Sequence, residues 1–217
     1  MKSVRVGAVL ALAVLLTAGT ALATDLVTMP LGNRAPVLGG EADAIYVDAD
    51  GTSVVFLEGY YQVTPAIEVG VIHVEPEAGD SQTEISAAYT VLPESMVNPA
   101  VIVGAYNLTG SDWGASDEIA PYVMAAKTLR LPKLGPPSTA DPLIRAHLGY
   151  GTEYHGDTLF GAVQALLAPN IGAIVLSYQE EFGAAATYIV KPGIEVSAGV
   201  FAENPFLRVG VQFPFAK

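Results

Sequence analysis

Three histidines and an excess of carboxylates are the residues of this 217-residue chain that could do chemistry. Hydrolysis of a lipid ester would need a histidine beside a serine nucleophile, with a third group orienting the base. His73, His147 and His155 have no serine close by in a recognisable nucleophile motif, so a triad would have to assemble across separate segments. His155 with Glu153 and Asp157 brings metal-ligating types together, but without a spacing that marks a metal site. Asp48-Ala49-Asp50-Gly51 opens like a calcium loop and lacks the later ligands and the closing Glu, so Asp-Gly reads there as a hairpin turn. These residues assign no catalytic group, no metal and no cofactor.

The remaining charges follow the elements that carry them. From Gly39 to Phe215 the chain reads as about twelve short runs of alternating apolar and polar residues. The expected strands are Gly39–Val47, Ser53–Val63, Ala66–Val74, Glu84–Leu92, Ala100–Leu108, Pro121–Leu131, Leu143–Gly151, Leu159–Ala168, Gly172–Gln179, Ala184–Val190, Ile194–Ala202 and Leu207–Phe215. Most have about the 9–11 residues with which a tilted strand crosses a bilayer. The alternation is cleanest in the last run, where Leu207, Val209, Val211, Phe213 and Phe215 interleave with Arg208, Gly210, Gln212 and Pro214. It is poor in the third, sixth and ninth. Successive side chains of a strand point to opposite faces, so one face is apolar and the other small or charged. The interior candidates are Glu58, Glu68, Glu84, Lys127, Arg145, His147, Glu195 and Arg208, and both signs are present for pairing across a lumen.

The connections fall into two classes. The odd-numbered ones hold Asp48, Asp50, Glu75, Glu77, Asp80, Asp112, Asp117, Glu118, Glu153, Asp157, Glu180, Glu181 and Glu203, with no Lys or Arg. The even-numbered ones are mostly tight turns with Pro or Gly, such as Thr64-Pro65 and Lys191-Pro192-Gly193, and Pro132–Pro142 is the long exception. Such alternation is what an up-and-down meander gives when its two ends meet different surroundings. With an even strand number both termini lie on the side of the tight turns, which would be periplasmic, and the acids would face outward.

The first residues look like a targeting segment. Lys2 and Arg5 precede the apolar Val6–Leu16, and Ala21-Leu22-Ala23 is a small-residue cleavage site. Removing 23 of the 217 residues leaves 194 and takes the formal charge from −12 to −14, since Lys2 and Arg5 are lost. So little basic surface argues against nucleic acid as a partner. Residues 24–38 read as an irregular periplasmic leader and 39–217 as a barrel. No Cys is present, so neither a disulfide nor a lipid-modified cysteine can form.

These features resemble bacterial outer-membrane β-barrel proteins of porin-like type. The resemblance rests on the Ala-Leu-Ala signal site, on the strand–turn unit Phe56–Val71, and on the alternating last strand, which is similar to the C-terminal assembly signal of such proteins. There is a further likeness to exopolysaccharide-associated barrels, which implies no residue-level function. The resemblance implies an all-β fold, a closed antiparallel up-and-down transmembrane barrel of about twelve strands in the cell outer membrane. Outer-membrane lipid, lipopolysaccharide and the barrel assembly machinery would be its partners. A narrow passive pore or a structural envelope protein is the expected role. The alternatives are an exported soluble β-sandwich that binds a ligand or surface polymer, and a barrel enzyme that modifies lipid.

Overall fold

The computed structural model describes residues 39–49, 52–110, 118–130, 143–152, 158–178 and 181–214. The expected signal peptide and leader, residues 1–38, lie outside the described residues. Every described element is a strand: β1 (Gly39–Ala49), β2 (Thr52–Thr64), β3 (Ile67–Pro76), β4 (Gln82–Leu92), β5 (Ala100–Tyr106), β6 (Ala120–Arg130), β7 (Leu143–Gly151), β8 (Thr158–Ala168), β9 (Ile171–Tyr178), β10 (Glu181–Lys191), β11 (Ile194–Phe201) and β12 (Asn204–Pro214). Each pairs antiparallel with its sequence neighbours, and β1 pairs with β12, so the sheet closes into one barrel. Closure satisfies every edge and rules out the sandwich alternative.

Turn chemistry sets where each hairpin reverses. Thr64 Oγ1 accepts from the N–H groups of Ala66 and Ile67 at 3.2 and 3.0 Å, which pins the β2–β3 turn. Pro192-Gly193 joins β10 to β11, with Gly193 at φ +80°, a conformation that glycine adopts without strain. On the opposite end Ala202 and Glu203 both have positive φ, the backbone of a type I′ hairpin turn. β5 is two residues shorter than its sequence suggests, because Asn107 turns to φ +53° and its side-chain amide donates to the Glu118 carbonyl at 3.3 Å. β10 is longer and takes in Glu181. Asp48 and Glu75 likewise belong to strand ends rather than to loops.

Register shifts interrupt the ladders between Gln62 and Thr64, Thr90 and Leu92, Leu166 and Ala168, and Ile189 and Lys191. All four sit beside even-numbered turns. The residues they skip, Val63, Val91, Leu167 and Val190, are exposed and apolar. A bulge adds local twist, which helps a sheet curl into a barrel.

The outer face carries Leu57, Val69, Val71, Ile85, Val103, Val123, Val163, Val175 and Val200. Tyrosines mark its two rims. Tyr46 and Tyr150 stand near the odd-numbered connections, and Tyr61, Tyr89 and Tyr188 near the even-numbered turns.

Candidate functional site

The candidate site is the inner wall of the barrel. Alternation turns Glu41 and Asp43 of β1, Glu58 and Gln62 of β2, Glu68 of β3, Glu84, Ser86 and Thr90 of β4, His147 of β7, Thr187 of β10, Glu195 and Ser197 of β11, and Arg208 and Gln212 of β12 inward, where all are buried. Arg145 shares the parity of His147 and is partly buried. The apolar inward residues include Ile45, Phe56, Ile72, Val74, Ile102, Met124, Ile174 and Leu176, in one contiguous cluster. Four aromatic rings run along this cluster from β5 to β9. Tyr106 and Tyr122 have centroids 5.6 Å apart, Tyr122 and Phe160 6.5 Å, and Phe160 and Tyr178 6.1 Å. The wall from β11 through β12 to β4 is thus rich in carboxylates, and the wall from β5 to β9 is mostly apolar.

Arg208 is the centre of the charged wall. Its guanidinium is fully buried and reaches Glu41 at 2.9 Å and Asp43 at 2.7 Å on β1, and pairs with Glu195 on β11. Gln212 adds a hydrogen bond to Glu41 at 3.4 Å. Room for this arrangement comes from Gly210, where a Cβ would stand 2.6 Å from Asp43 Oδ1 and 2.9 Å from Arg208 Nη2.

A second polar group lies at the end of the even-numbered turns. β5 begins at Ala100, opposite Ala126, so β6 runs on past it at this end, and Glu94 of the preceding connection bonds to the open ladder edge of β6 at Thr128. Its carboxylate accepts from Thr128 N at 2.7 Å and Thr128 Oγ1 at 3.1 Å, and lies 3.9 Å from both Lys127 Nζ and Arg145 Nη1.

Lys127 corrects the sequence expectation. It shares the parity of Val123 and Leu129, which are exposed outside, while Met124 and Ala126 point inward. Its ammonium donates to the carbonyls of Met96 and Asn98 in the neighbouring turn, at 3.1 and 3.4 Å. Poor alternation in β6, where both faces hold apolar residues, hides this parity in the sequence. Glu41 and Asp43 escaped sequence reasoning although they alternate with Ala42 and Ala44, because alanine on the other face gives little contrast. Nothing in the local sequence marks Glu94.

The histidines do not meet. His147 is inside, 3.3 Å from Gln164 Oε1, whereas His73 on β3 is hydrogen-bonded to Thr83 Oγ1 at 2.9 Å. His155, Glu153 and Asp157 lie outside the described residues, as do Asp50 and Gly51. Among the described residues no three His, Cys, Asp or Glu are grouped to hold a metal ion.

A closed twelve-strand barrel of this kind has counterparts among solved structures. The KdgM porin aligns with a TM-score of 0.54 over 82% of this chain and 99% of its own, at 14% sequence identity. The two barrels share a fold. A crystal structure of an outer membrane channel from Pseudomonas putida F1 also matches, with a TM-score of 0.35, 11% identity, and coverage of 86% of this chain and 99% of that one. No family profile and no curated protein sequence matches the chain. The first likeness concerns the fold, so the chemistry of this barrel has to be read from its own inner wall.

Proposed function

We propose that this porin-like barrel resides in the bacterial outer membrane and acts there as a narrow passive pore. The observation that carries the reading is the division of its two faces. Apolar side chains with tyrosine at both rims cover the outside, and charged residues line part of the inside. Lipid would surround the first surface, and a membrane-crossing path needs the second. The fold it shares with a porin supports the same role.

In this reading the even-numbered turns face the periplasm, and lipopolysaccharide surrounds the end that carries Asp48, Glu75, Glu77, Asp80 and Glu203. The barrel assembly machinery would insert it. The separation of His147 from His73, with no serine among the described residues in hydrogen-bond contact with either, favours a non-enzymatic role over lipid hydrolysis. Single-channel recording of the refolded protein in a planar bilayer tests the proposal. Discrete conductance steps are expected. A barrel that inserts but never conducts would instead be a structural envelope protein.

A further inference from the structure

Among the described residues, the buried acids of the barrel lie on one wall. Glu41, Asp43, Glu58, Glu68, Glu84 and Glu195 all face inward from β11, β1, β2, β3 and β4, and Arg208 is the one Lys or Arg among the described residues of β11, β12 and β1–β4. Strand register orders four of these acids into a path. Glu195 pairs with Gly210, Gly210 with Asp43, Asp43 with Glu58, Glu58 with Ile72, and Ile72 with Glu84. Since the strands of a barrel are staggered, a line of directly paired residues climbs the wall as it goes round, here across six of the twelve strands. This one begins at the second residue of β11, beside the Pro192-Gly193 turn. It ends at the third residue of β4, beside the odd-numbered connection.

The two ends of the path differ in what compensates the charge. Arg208 serves Glu195 and Asp43 at the lower end. Above it Glu58 accepts a hydrogen bond from Tyr60 at 3.2 Å. At the upper end Glu84 is fully buried, and neither carboxylate oxygen has a hydrogen-bond partner among the described residues. A buried carboxylate without donors is costly, and a cation beside it would remove that cost. Among the described residues the facing wall holds no matching run of positive charge. Its inward residues are largely Ile102, Met124, Phe160, Ile174 and Leu176, and Arg145 lies near Glu94 at the turn end.

We propose that the Glu195–Asp43–Glu58–Glu84 path is a cation track that makes the pore prefer small cations to anions. This rests on the pore reading and names its solute class. Low-dielectric walls lined by one sign of charge concentrate the opposite ion, here by about tenfold. The test is the reversal potential of the refolded full chain in a planar bilayer under a KCl gradient. A potassium-over-chloride permeability ratio of about ten is expected. Glu84→Gln and Glu58→Gln should each lower the ratio, and the double variant should lower it further. Glu203→Gln at an outer turn should leave it unchanged. Folding of each variant is checked by heat-modifiable gel mobility. A reversal potential of zero or of anion sign, or a ratio unmoved in folded Glu84→Gln and Glu58→Gln, overturns the track and leaves the pore standing. Absence of any conductance overturns the pore reading and the track with it.

Discussion

Arg208 shows how much of the barrel depends on one side chain. It joins carboxylates on the first strand, Glu41 and Asp43, to one on the eleventh, Glu195, and so ties the seam where β1 meets β12. Removing one partner from a buried ion cluster leaves the other charges uncompensated, which costs about 3–5 kcal/mol. Arg208→Met is expected to lose stability on that scale in urea unfolding from lipid vesicles. Adding Asp43→Asn and Glu195→Gln to Arg208→Met should recover part of the loss, because only Glu41 of the three stranded carboxylates then keeps its charge. Wild-type stability for Arg208→Met alone would show that the cluster does not hold the seam. At the same scale Lys127 shows the reverse case, a charged residue whose role follows from its neighbours in the β4–β5 turn rather than from its strand.

Among the elements, recurring pairs of glycine and an aromatic ring fit the strands to one another. Tyr60 faces Gly70, Tyr122 faces Gly104, Phe160 faces Gly149, and Phe201 faces Gly183 directly across the ladder. In each pair the ring lies where the glycine's side chain would be. A Cβ at Gly104 would stand 2.4 Å from the Tyr122 ring and 2.7 Å from the Ala87 carbonyl oxygen. The carbonyl is backbone and cannot swing aside. Gly104→Val is therefore expected to cost about 1–3 kcal/mol through overpacking. At Gly59, on the outer face, a Cβ would meet nothing within 4 Å. Gly59→Ala should change stability by less than about 0.5 kcal/mol. Equal effects at the two positions in a denaturant series would argue against the ring-over-glycine packing.

For the whole molecule, depth and sidedness are the testable quantities. Val163 is at the middle of β8 and half exposed outside, whereas Val196 is the third residue of β11, close to the turn end. A lipid-facing Arg costs about 2–4 kcal/mol at the midplane and about 0–1 near the interface. Val163→Arg should thus impair folding into vesicles far more than Val196→Arg, and equal penalties would contradict a membrane-embedded belt. Sidedness follows from the even number of strands. With no native Cys, Asp80→Cys should react with an impermeant thiol reagent on intact cells. Val97→Cys, in the exposed tip of the β4–β5 turn, should react only after the outer membrane is permeabilised. Labelling of both on intact cells would fit neither the proposed orientation nor residence in the outer membrane.

All twelve strands were legible in the sequence, because a period of two and the contrast between acidic connections and tight turns are local properties of the chain. The contrast of Glu195 and Arg208, both buried, with their neighbours Val196, Leu207 and Val209 is local in the same way. What local pattern could not supply is what depends on the partner strand. In β3, β6 and β9 the interior itself is apolar, with Ile72, Val74, Met124, Ile174 and Leu176 inside and Val71, Val123 and Val175 outside. Both faces then read alike, and the alternation disappears from the sequence while it persists in burial. Register likewise belongs to pairs of strands. Only the closed barrel places Glu41 and Asp43 beside an arginine roughly 165 residues away in sequence, aligns the four acids from one mouth to the other, and brings Glu94 to the end of β6, because each of these contacts is fixed by hydrogen-bonded neighbours rather than by spacing along the chain.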